Sequence, residues 1–279
     1  MHVEPAVASL AIRELMHGPR RDGRVIGTAD GMVLAEFGGV TSEPRVIVIA
    51  APEAVRLPNS VTTPAVPLNA PPGTHVRAGD ERLTIAGITL APLRWWDPVP
   101  VLGPLSRARL DHGATTLARI CGQSQHAPGL PGHNGPAALA ACCAEGDLAS
   151  AAEHAESLVG LGPGLVPAGD SVLCGMLLAL RLLGGAIPGG TKPVWLAGWL
   201  SATVTAYARE RTIGLGASVL HCAARGQAPA EVSAVLHGLA GDEPVEPAAR
   251  KLQSTGSWLA DIAWGIVAGC RAAQVLSVS

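Results

Sequence analysis

The chain has 279 residues, with 20 Lys and Arg against 22 Asp and Glu and a formal net charge of −2. Because there is no basic excess, nothing attracts it at long range to nucleic acid or to an anionic membrane surface, and we expect neither as a partner. The length is enough for two domains that each bury a core. We expect a β-rich domain over residues 1–104 and an α-helical domain over residues 105–279.

The cysteines and the apolar segments indicate a cytoplasmic protein. The six cysteines include no Cys-x-x-Cys pair and lie mostly in apolar surroundings, which is typical of reduced, buried thiols. The N-terminus shows no export signal. The apolar runs that begin at Val172 and Val194 are shorter than the roughly 18–20 residues that a membrane span needs. We therefore interpret both runs as core helices and expect no membrane.

The N-terminal third predicts β structure after one short helix. Apolar positions between residues 6 and 17 suggest the helix, which ends at Gly18-Pro19. Short β-branched runs separated by turn residues follow, at residues 25–28, 32–36, 45–50, 74–77, 83–85 and 88–92. They indicate an antiparallel β-rich unit, either a small barrel or a sandwich. The proline-rich tract 57–72 is expected to be an extended loop or an edge, since proline cannot serve a central strand.

The chain changes character after the adjacent Trp95 and Trp96. Extended neighbours point to opposite faces, so at most one of these tryptophans belongs to a core. Beyond them, apolar residues three and four apart predict helices at 105–121, 137–145, 148–159, 172–183, 194–209, 215–224, 230–239, 247–253 and 258–275. Strands first and helices afterwards indicate an α+β fold with segregated elements.

One stretch stands out, residues 160–171, in which four glycines and two prolines surround a single acid. Glycine permits positive φ and the close approach of a ligand, and proline stiffens the path. At the start of the following helix, unpaired N–H groups and the positive end of the macrodipole favour an anion. The stretch has neither a Walker A sequence nor Rossmann glycine spacing, so we expect a small anion rather than a nucleotide.

The charged candidates near this loop each allow two interpretations. Asp170 either caps the helix or holds a cation, and beside a bound anion its charge would have to be offset by Mg²⁺ or an arginine. Arg209 and Arg211, followed by Thr212, either clamp a carboxylate or phosphate or interact with the helix dipole and a surface acid.

The last helix adds Ser257 at its start and Asp261 one turn further on. An acid at this position is favoured by the helix dipole, or must be paired or solvated if it is buried. The histidines, His126 and His133 among them, show no metal-ligand spacing, so no metal site is predicted.

The segment Gly160-Leu161-Gly162-Pro163-Gly164-Leu165-Val166-Pro167-Ala168-Gly169-Asp170-Ser171, with Gly175 shortly after it, resembles a known signature. This is the sequence Gly-x-Gly-x-Gly-Leu-Thr-Pro-Ser-Gly-Asp-Asp of the AllH-like family, which includes the AllH subunit of the FdrA-dependent oxamate carbamoyltransferase of allantoin degradation. The resemblance implies a subunit that acts with FdrA-like and AllG-like partners. Together they would interconvert carbamoyl phosphate plus oxamate with oxalurate plus phosphate, and the loop would bind the phosphate.

The chain departs from this signature at three positions. It has Val166, Ala168 and Ser171 where the signature has Thr, Ser and a second Asp, so two hydroxyls and one carboxylate are lost. Two hypotheses follow. In the first, the chain is a transferase subunit in which Asp170 and Arg211 are catalytic. In the second, it is a noncatalytic assembly or regulatory subunit that keeps the fold without the polar site.

Under the first hypothesis, the substrate is a small anion, either carbamoyl phosphate or a carboxylate. The residues expected to bind it are Gly162, Gly164, Leu165, Gly169, Ser171, Arg209, Thr212, Ser257 and Asp261.

Overall fold

The computed structural model of the chain describes residues 3–38, 43–124 and 129–277. The chain divides into two compact units, residues 1–98 and 99–279. The first unit is a β-barrel with one short helix, and the second is helical. The expected α+β architecture, with a β-rich beginning and a helical remainder, is therefore confirmed.

Eight strands close the N-terminal unit into a barrel in the order β1-β5-β4-β3-β2-β6-β7-β8. Their bounds are β1 Val3–Ser9, β2 Arg21–Ala29, β3 Met32–Phe37, β4 Val46–Ala50, β5 Ser60–Thr62, β6 His75–Gly79, β7 Arg82–Ile85 and β8 Ile88–Trp96. Most neighbouring strands are antiparallel, but β1 pairs with β8 and β4 with β5 in parallel. The sheet of the barrel is therefore mixed.

The prediction of a short helix over residues 6–17 is wrong for the first half of that range. Val3–Ser9 forms β1, a 3₁₀ turn follows at Leu10–Ile12, and only Arg13–His17 is α-helical (α1). The strand bonds to β5 on one side and to β8 on the other. These long-range hydrogen bonds decide the conformation of a segment too short to be helical by itself.

The proline-rich tract also contains a strand that its composition concealed. Ser60–Thr62 forms β5, which pairs with β1 on one side and with β4 on the other. The strand is only three residues long and falls between Pro58 and Pro64. Proline therefore limits its length without excluding it from the sheet.

The two tryptophans lie in β8. Trp95 packs against the barrel core, with its ring 5.2 Å from that of His17. Trp96 instead lies under the guanidinium of Arg56, 5.8 Å from the ring centroid. The alternation of side chains along the strand separates the two rings in this way.

Helices form the second unit. Their bounds are α2 Arg107–Gly122, α3 Gly135–Glu145, α4 Leu148–Leu158, α5 Ala168–Leu178, α6 Gly184–Ala186, α7 Thr191–Arg211, α8 Gly214–Ala224, α9 Ala230–Ala240, α10 Val245–Thr255 and α11 Ser257–Leu276. A π-helical segment, Ala179–Leu183, continues α5. Every residue of α5 is buried, and most of α11 is buried with it.

Two stretches, residues 168–186 and 257–276, are long and apolar enough to cross a membrane by composition. Their apolar windows are 83% and 72% buried inside the protein. Core helices pass the same compositional test, so these stretches are weak evidence for a membrane span.

Helices α5 and α11 touch through their backbones. A Cβ on Gly175 would overlap the carbonyl oxygen of Ile262, and a Cβ on Gly265 would overlap that of Val172. Further along, Gly269 lies against the backbone of Met176. The contacts Val172–Gly265 and Met176–Gly269 advance by four residues on both helices, so the two helices run parallel. Their N-termini consequently lie at the same end of the unit.

Replacing Gly265 by Ala tests this backbone contact. Alanine raises helix propensity by about 1 kcal/mol, but its methyl group would overlap the Val172 carbonyl, and overpacking of this kind typically costs roughly 1–3 kcal/mol. We therefore expect a lower free energy of unfolding, measured by urea denaturation. The matched control is Gly198→Ala in α7, where a Cβ would meet no atom within 4 Å. The control should stabilise the protein, and a Gly265→Ala protein at least as stable as the control would contradict the contact.

Candidate functional site

The loop between α4 and α5 requires glycine at three positions. Gly160, Gly162 and Gly164 have φ of 74°, 87° and 124°, in the region that favours glycine. Gly160 is also confined by its surroundings, since a Cβ there would overlap the carbonyl oxygen of Arg211 at the end of α7. The loop therefore has a defined shape that is fixed against the C-terminus of another helix.

Asp170 binds both the glycine loop and the residue that follows α7. Its Oδ1 accepts a hydrogen bond from the Gly160 amide at 2.7 Å, and its Oδ2 accepts one from the Thr212 hydroxyl. The interpretation that Asp170 caps its own helix is wrong, because α5 begins at Ala168 after Pro167 and places Asp170 within the first turn. The carboxylate instead joins the start of the loop to the residue that follows α7.

The surroundings of Asp170 are tightly packed. The residue is fully buried, and burial raises the pKa of its carboxyl to about 6, although the hydrogen bonds from Thr212 and Gly160 act to lower it. Gly216 packs beside the Thr212 hydroxyl, because a Cβ there would lie 2.5 Å from the Asp170 Oδ2 and 2.6 Å from the Thr212 Oγ1. The nearest donors are an O–H and an N–H, which suit a carboxylate held by hydrogen bonds and do not fit Mg²⁺.

The side chain of Arg211 is directed toward α4. Its guanidinium pairs with the Glu156 carboxylate at 2.6 Å and lies 4.9 Å from the centroid of the Tyr207 ring. It is the backbone carbonyl of Arg211 that contacts the loop. Arg209 lies exposed near the end of α7. The catalytic roles of Asp170 and Arg211 stay predictions.

A second buried acid lies near the start of α11. The Oδ1 of Asp261 accepts a hydrogen bond from the Gly129 amide at 2.9 Å, and burial raises the pKa of the carboxyl. A Cβ on Gly129 would come within 2.6 Å of the Ala168 Cβ and 2.7 Å of the Asp261 Oδ2. The segment from residue 129, the start of α5 and the first turns of α11 are thus in direct contact. Sequence reasoning missed Gly129, which only its position in a Gly/Pro-rich loop could have suggested.

The tip of the glycine loop is exposed above both helix starts. Gly162 and Gly164 are exposed. A Cβ on Gly162 would lie 3.1 Å from the Ala168 Cβ, and a Cβ on Gly164 would lie 3.9 Å from the Trp258 Cβ. Ser257, the first residue of α11, is exposed as well. The tip therefore lies where the N-termini of α5 and α11 meet.

The remaining expected binding residues lie deeper. Leu165 is half-buried, and the amide of Gly169 donates to the Leu161 carbonyl at 2.8 Å. Ser171 is fully buried, and its hydroxyl has no hydrogen-bond partner within the part of the chain that the structure describes. Gly169 and Ser171 thus belong to the packed base of the site rather than to its surface.

No metal-ligand cluster accompanies these acids. Among residues 3–38, 43–124 and 129–277, no three His, Cys, Asp or Glu side chains lie close enough together to hold a metal ion. His126, considered above as a metal ligand, lies outside those residues.

These features define the class of the second unit: a helical domain that presents a glycine-rich loop above the N-termini of two parallel helices. Residues 158–270 match the family model described as oxamate carbamoyltransferase subunit AllH. The match starts just before the loop and extends into α11, and it confirms the AllH-like resemblance. No curated protein and no solved structure matches the chain.

The raised pKa of Asp170 predicts a pH-dependent stability. Between the ordinary value of 3.8 and about 6, the folded protein keeps a proton that the unfolded chain has lost. The free energy of unfolding should therefore fall as pH rises through this window, by roughly 3 kcal/mol from this residue, and should level off above it. In Asp170→Asn, the free energy of unfolding should lack this decrease with pH, while the Asn side chain still accepts the hydrogen bond from the Gly160 amide.

The measurement is urea denaturation of both proteins across the same pH range. Other carboxyl groups titrate in both proteins, so the difference between the two curves isolates Asp170. The exposed Glu243→Gln serves as the control and should keep the wild-type slope. Parallel curves for wild type and Asp170→Asn would show that the carboxyl does not titrate in this window.

Proposed function

We propose that this chain is a subunit of a carbamoyltransferase-type complex and that residues 160–171 bind its small anion. The anion would be carbamoyl phosphate, phosphate or the carboxylate of an acceptor such as oxamate. The observation that carries the proposal is the exposed tip, Gly162 to Gly164, above the N-termini of two parallel helices. The AllH family match supports the subunit role.

The electrostatic argument rests on the helix dipoles. Each helix N-terminus carries the equivalent of roughly half a positive charge, together with N–H groups that have no partner within the helix. In parallel helices these ends lie side by side, which is unfavourable without a negative group nearby. Asp170 and Asp261 already supply such charge from inside the unit. An anion at the exposed tip would therefore be held by main-chain N–H groups, with Arg211 offsetting the charge of the nearby carboxylates.

The proposal gives the side chains around the loop different tasks. Asp170 and Thr212 hold the loop in the shape that receives the anion. Ser257 offers a hydroxyl at the surface, at the first position of α11. Arg211 contributes only after its guanidinium has left Glu156, with which it pairs at 2.6 Å.

Ser257→Asp tests the anion site without damaging the helix. An acid at the first helical position is favoured by the dipole by about 0.3–1 kcal/mol, and repulsion from Asp261 four residues later offsets about 0.2–0.5 kcal/mol of this. The stability of the protein itself should therefore change little. The new carboxylate should nevertheless repel an incoming anion. We expect phosphate, carbamoyl phosphate or oxamate to raise the melting temperature of wild type by roughly 5–10 °C near saturation, and to have little effect on Ser257→Asp.

Two matched variants complete this experiment. Ser257→Asn changes the same side chain without adding charge and should keep most of the shift. Ala230→Asp adds an acid at the first position of α9, away from the loop, and should keep all of it. The proposal is wrong if none of the three anions stabilises wild type, or if Ser257→Asp responds as wild type does.

A specific surface on α7 supports assembly with partner subunits, which both hypotheses require. Trp195 and Trp199 of α7 are 57% and 46% exposed, and their rings stack with centroids 6.2 Å apart. Gly198, Ala202 and Ala206 are exposed on the same side of the helix. Exposed apolar patches that contain tryptophan are typical of protein interfaces. We propose this tryptophan face as the contact for FdrA-like and AllG-like partner subunits.

Trp195→Ser with Trp199→Ser should remove that contact. We expect the double variant to fold, to keep its response to anions, and to lose co-purification with co-expressed FdrA-like and AllG-like proteins. Leu93→Ser provides the control, because it removes a 75% exposed apolar side chain elsewhere. Undiminished assembly of the double variant would exclude the tryptophan face.

Assembled complexes also separate the two hypotheses. If Ser257→Asp assembles fully but the complex loses carbamoyl transfer, the anion site takes part in the reaction. If that complex keeps full activity, the chain is an assembly subunit.

A further inference from the structure

A cavity of about 350 Å³ lies among α3, α5, α11 and residues 130–133, which precede α3. Its walls are mainly apolar and include Ala137, Ala140, Val172 and Trp264. The ionisable side chains that line it are His133, which precedes α3, and Asp261 and Arg271 on α11. Small-molecule sites typically enclose about 300–1,000 Å³ with few polar groups, so this cavity has the size and composition for a small ligand.

The two charges stand at opposite ends of the apolar wall. Asp261, Trp264, Ala268 and Arg271 follow one another at intervals of three or four residues, and all four line the cavity. Ten residues of helix separate the α-carbons of Asp261 and Arg271 by about 15 Å. Because helical side chains lean toward the N-terminus, the Arg271 side chain extends back over the wall and shortens the gap between the charged groups.

The two ends differ in exposure. Asp261 is 4% exposed, and its Oδ1 accepts a hydrogen bond from the Gly129 amide. Among residues 3–38, 43–124 and 129–277, no donor is bonded to its Oδ2, which the proposed ligand would use. Arg271 is exposed at the other end. A carboxylate placed on Arg271 keeps part of its hydration while it forms a bidentate pair, whereas a highly charged phosphate inside the apolar part would lose its hydration without compensation.

We propose that this cavity binds a small organic acid with an apolar body, its carboxylate on Arg271 and a hydroxyl or amide donor on Asp261. The apolar body lies against α3 and α11 between those two contacts. This site does not depend on the anion proposed at the glycine loop, because its selectivity comes from Arg271 and the apolar walls.

The probe is 3-(4-hydroxyphenyl)propionate, which has a carboxylate, a ring and a donor in that order. Binding is measured by isothermal titration calorimetry on the full chain. Two analogues each lack one group: 3-phenylpropionate has no donor, and 4-(3-hydroxypropyl)phenol has no carboxylate. We expect the first analogue to bind more weakly than the probe and the second to lose about 10- to 100-fold in affinity.

Variants connect the binding to this cavity. Arg271→Gln should lower the affinity for the probe by about 10- to 100-fold and leave the affinity for the neutral analogue unchanged. Ala140→Leu and Ala137→Phe narrow the cavity from α3 and should each reduce binding. Ala137 is exposed, so Ala137→Phe keeps the test valid if Ala140→Leu fails to fold. Arg225→Gln, an exposed arginine at the end of α8, should bind as wild type does.

Three outcomes would overturn the proposal: no binding of the probe to wild type, equal affinity for all three compounds, or unchanged binding after both Arg271→Gln and Ala137→Phe. Ser257→Asp distinguishes the two sites. It should abolish stabilisation by phosphate while leaving the affinity for the organic acid unchanged.

Discussion

The direct backbone contact between α5 and α11 is the constraint on which the helical unit depends. Gly175 and Gly265 leave no room for side chains between the two helices, so their relative position is fixed by main-chain atoms. The two helices also run parallel, which brings two positive dipole ends together. The chain must therefore place negative groups and shaped loops at that end, and it does so with the glycine loop and two buried acids.

The two acids show how a buried charge can organise a site. Burial raises the pKa of both Asp170 and Asp261, and hydrogen bonds from Thr212 and Gly160 to the first and from Gly129 to the second act to lower it. Each carboxylate fixes a segment that is distant in sequence: Asp170 holds Gly160 and Thr212, and Asp261 holds Gly129. Three connections between helices thus converge on the N-termini of α5 and α11.

The periodicity of apolar residues was sufficient to predict most helices and strands, but not the contacts that form the candidate site. The helical segments after residue 104 follow from apolar spacing, because each buries one face or more against its neighbours. Strands β1 and β5 were missed, because their pairing partners are distant in sequence. The hydrogen bond from Thr212 to Asp170 joins residues 42 positions apart, so sequence patterns could not predict it. The cavity beside Asp261 could not be predicted for the same reason. The glycine loop was recognisable because its conformational demands are local.

The departures from the family signature lie at the base of this loop. Val166 and Ala168 replace hydroxyl residues, and both are fully buried. Ala168 packs tightly against Gly129 and Gly162, directly below the exposed tip. An anion at the tip would therefore meet main-chain amides and helix dipoles rather than hydroxyl groups at those two positions. Such donors have fixed directions and no rotatable bonds, so the geometry set by Asp170 would govern which anions fit. Selection would then rest on the size and charge of the anion more than on side-chain hydrogen bonds.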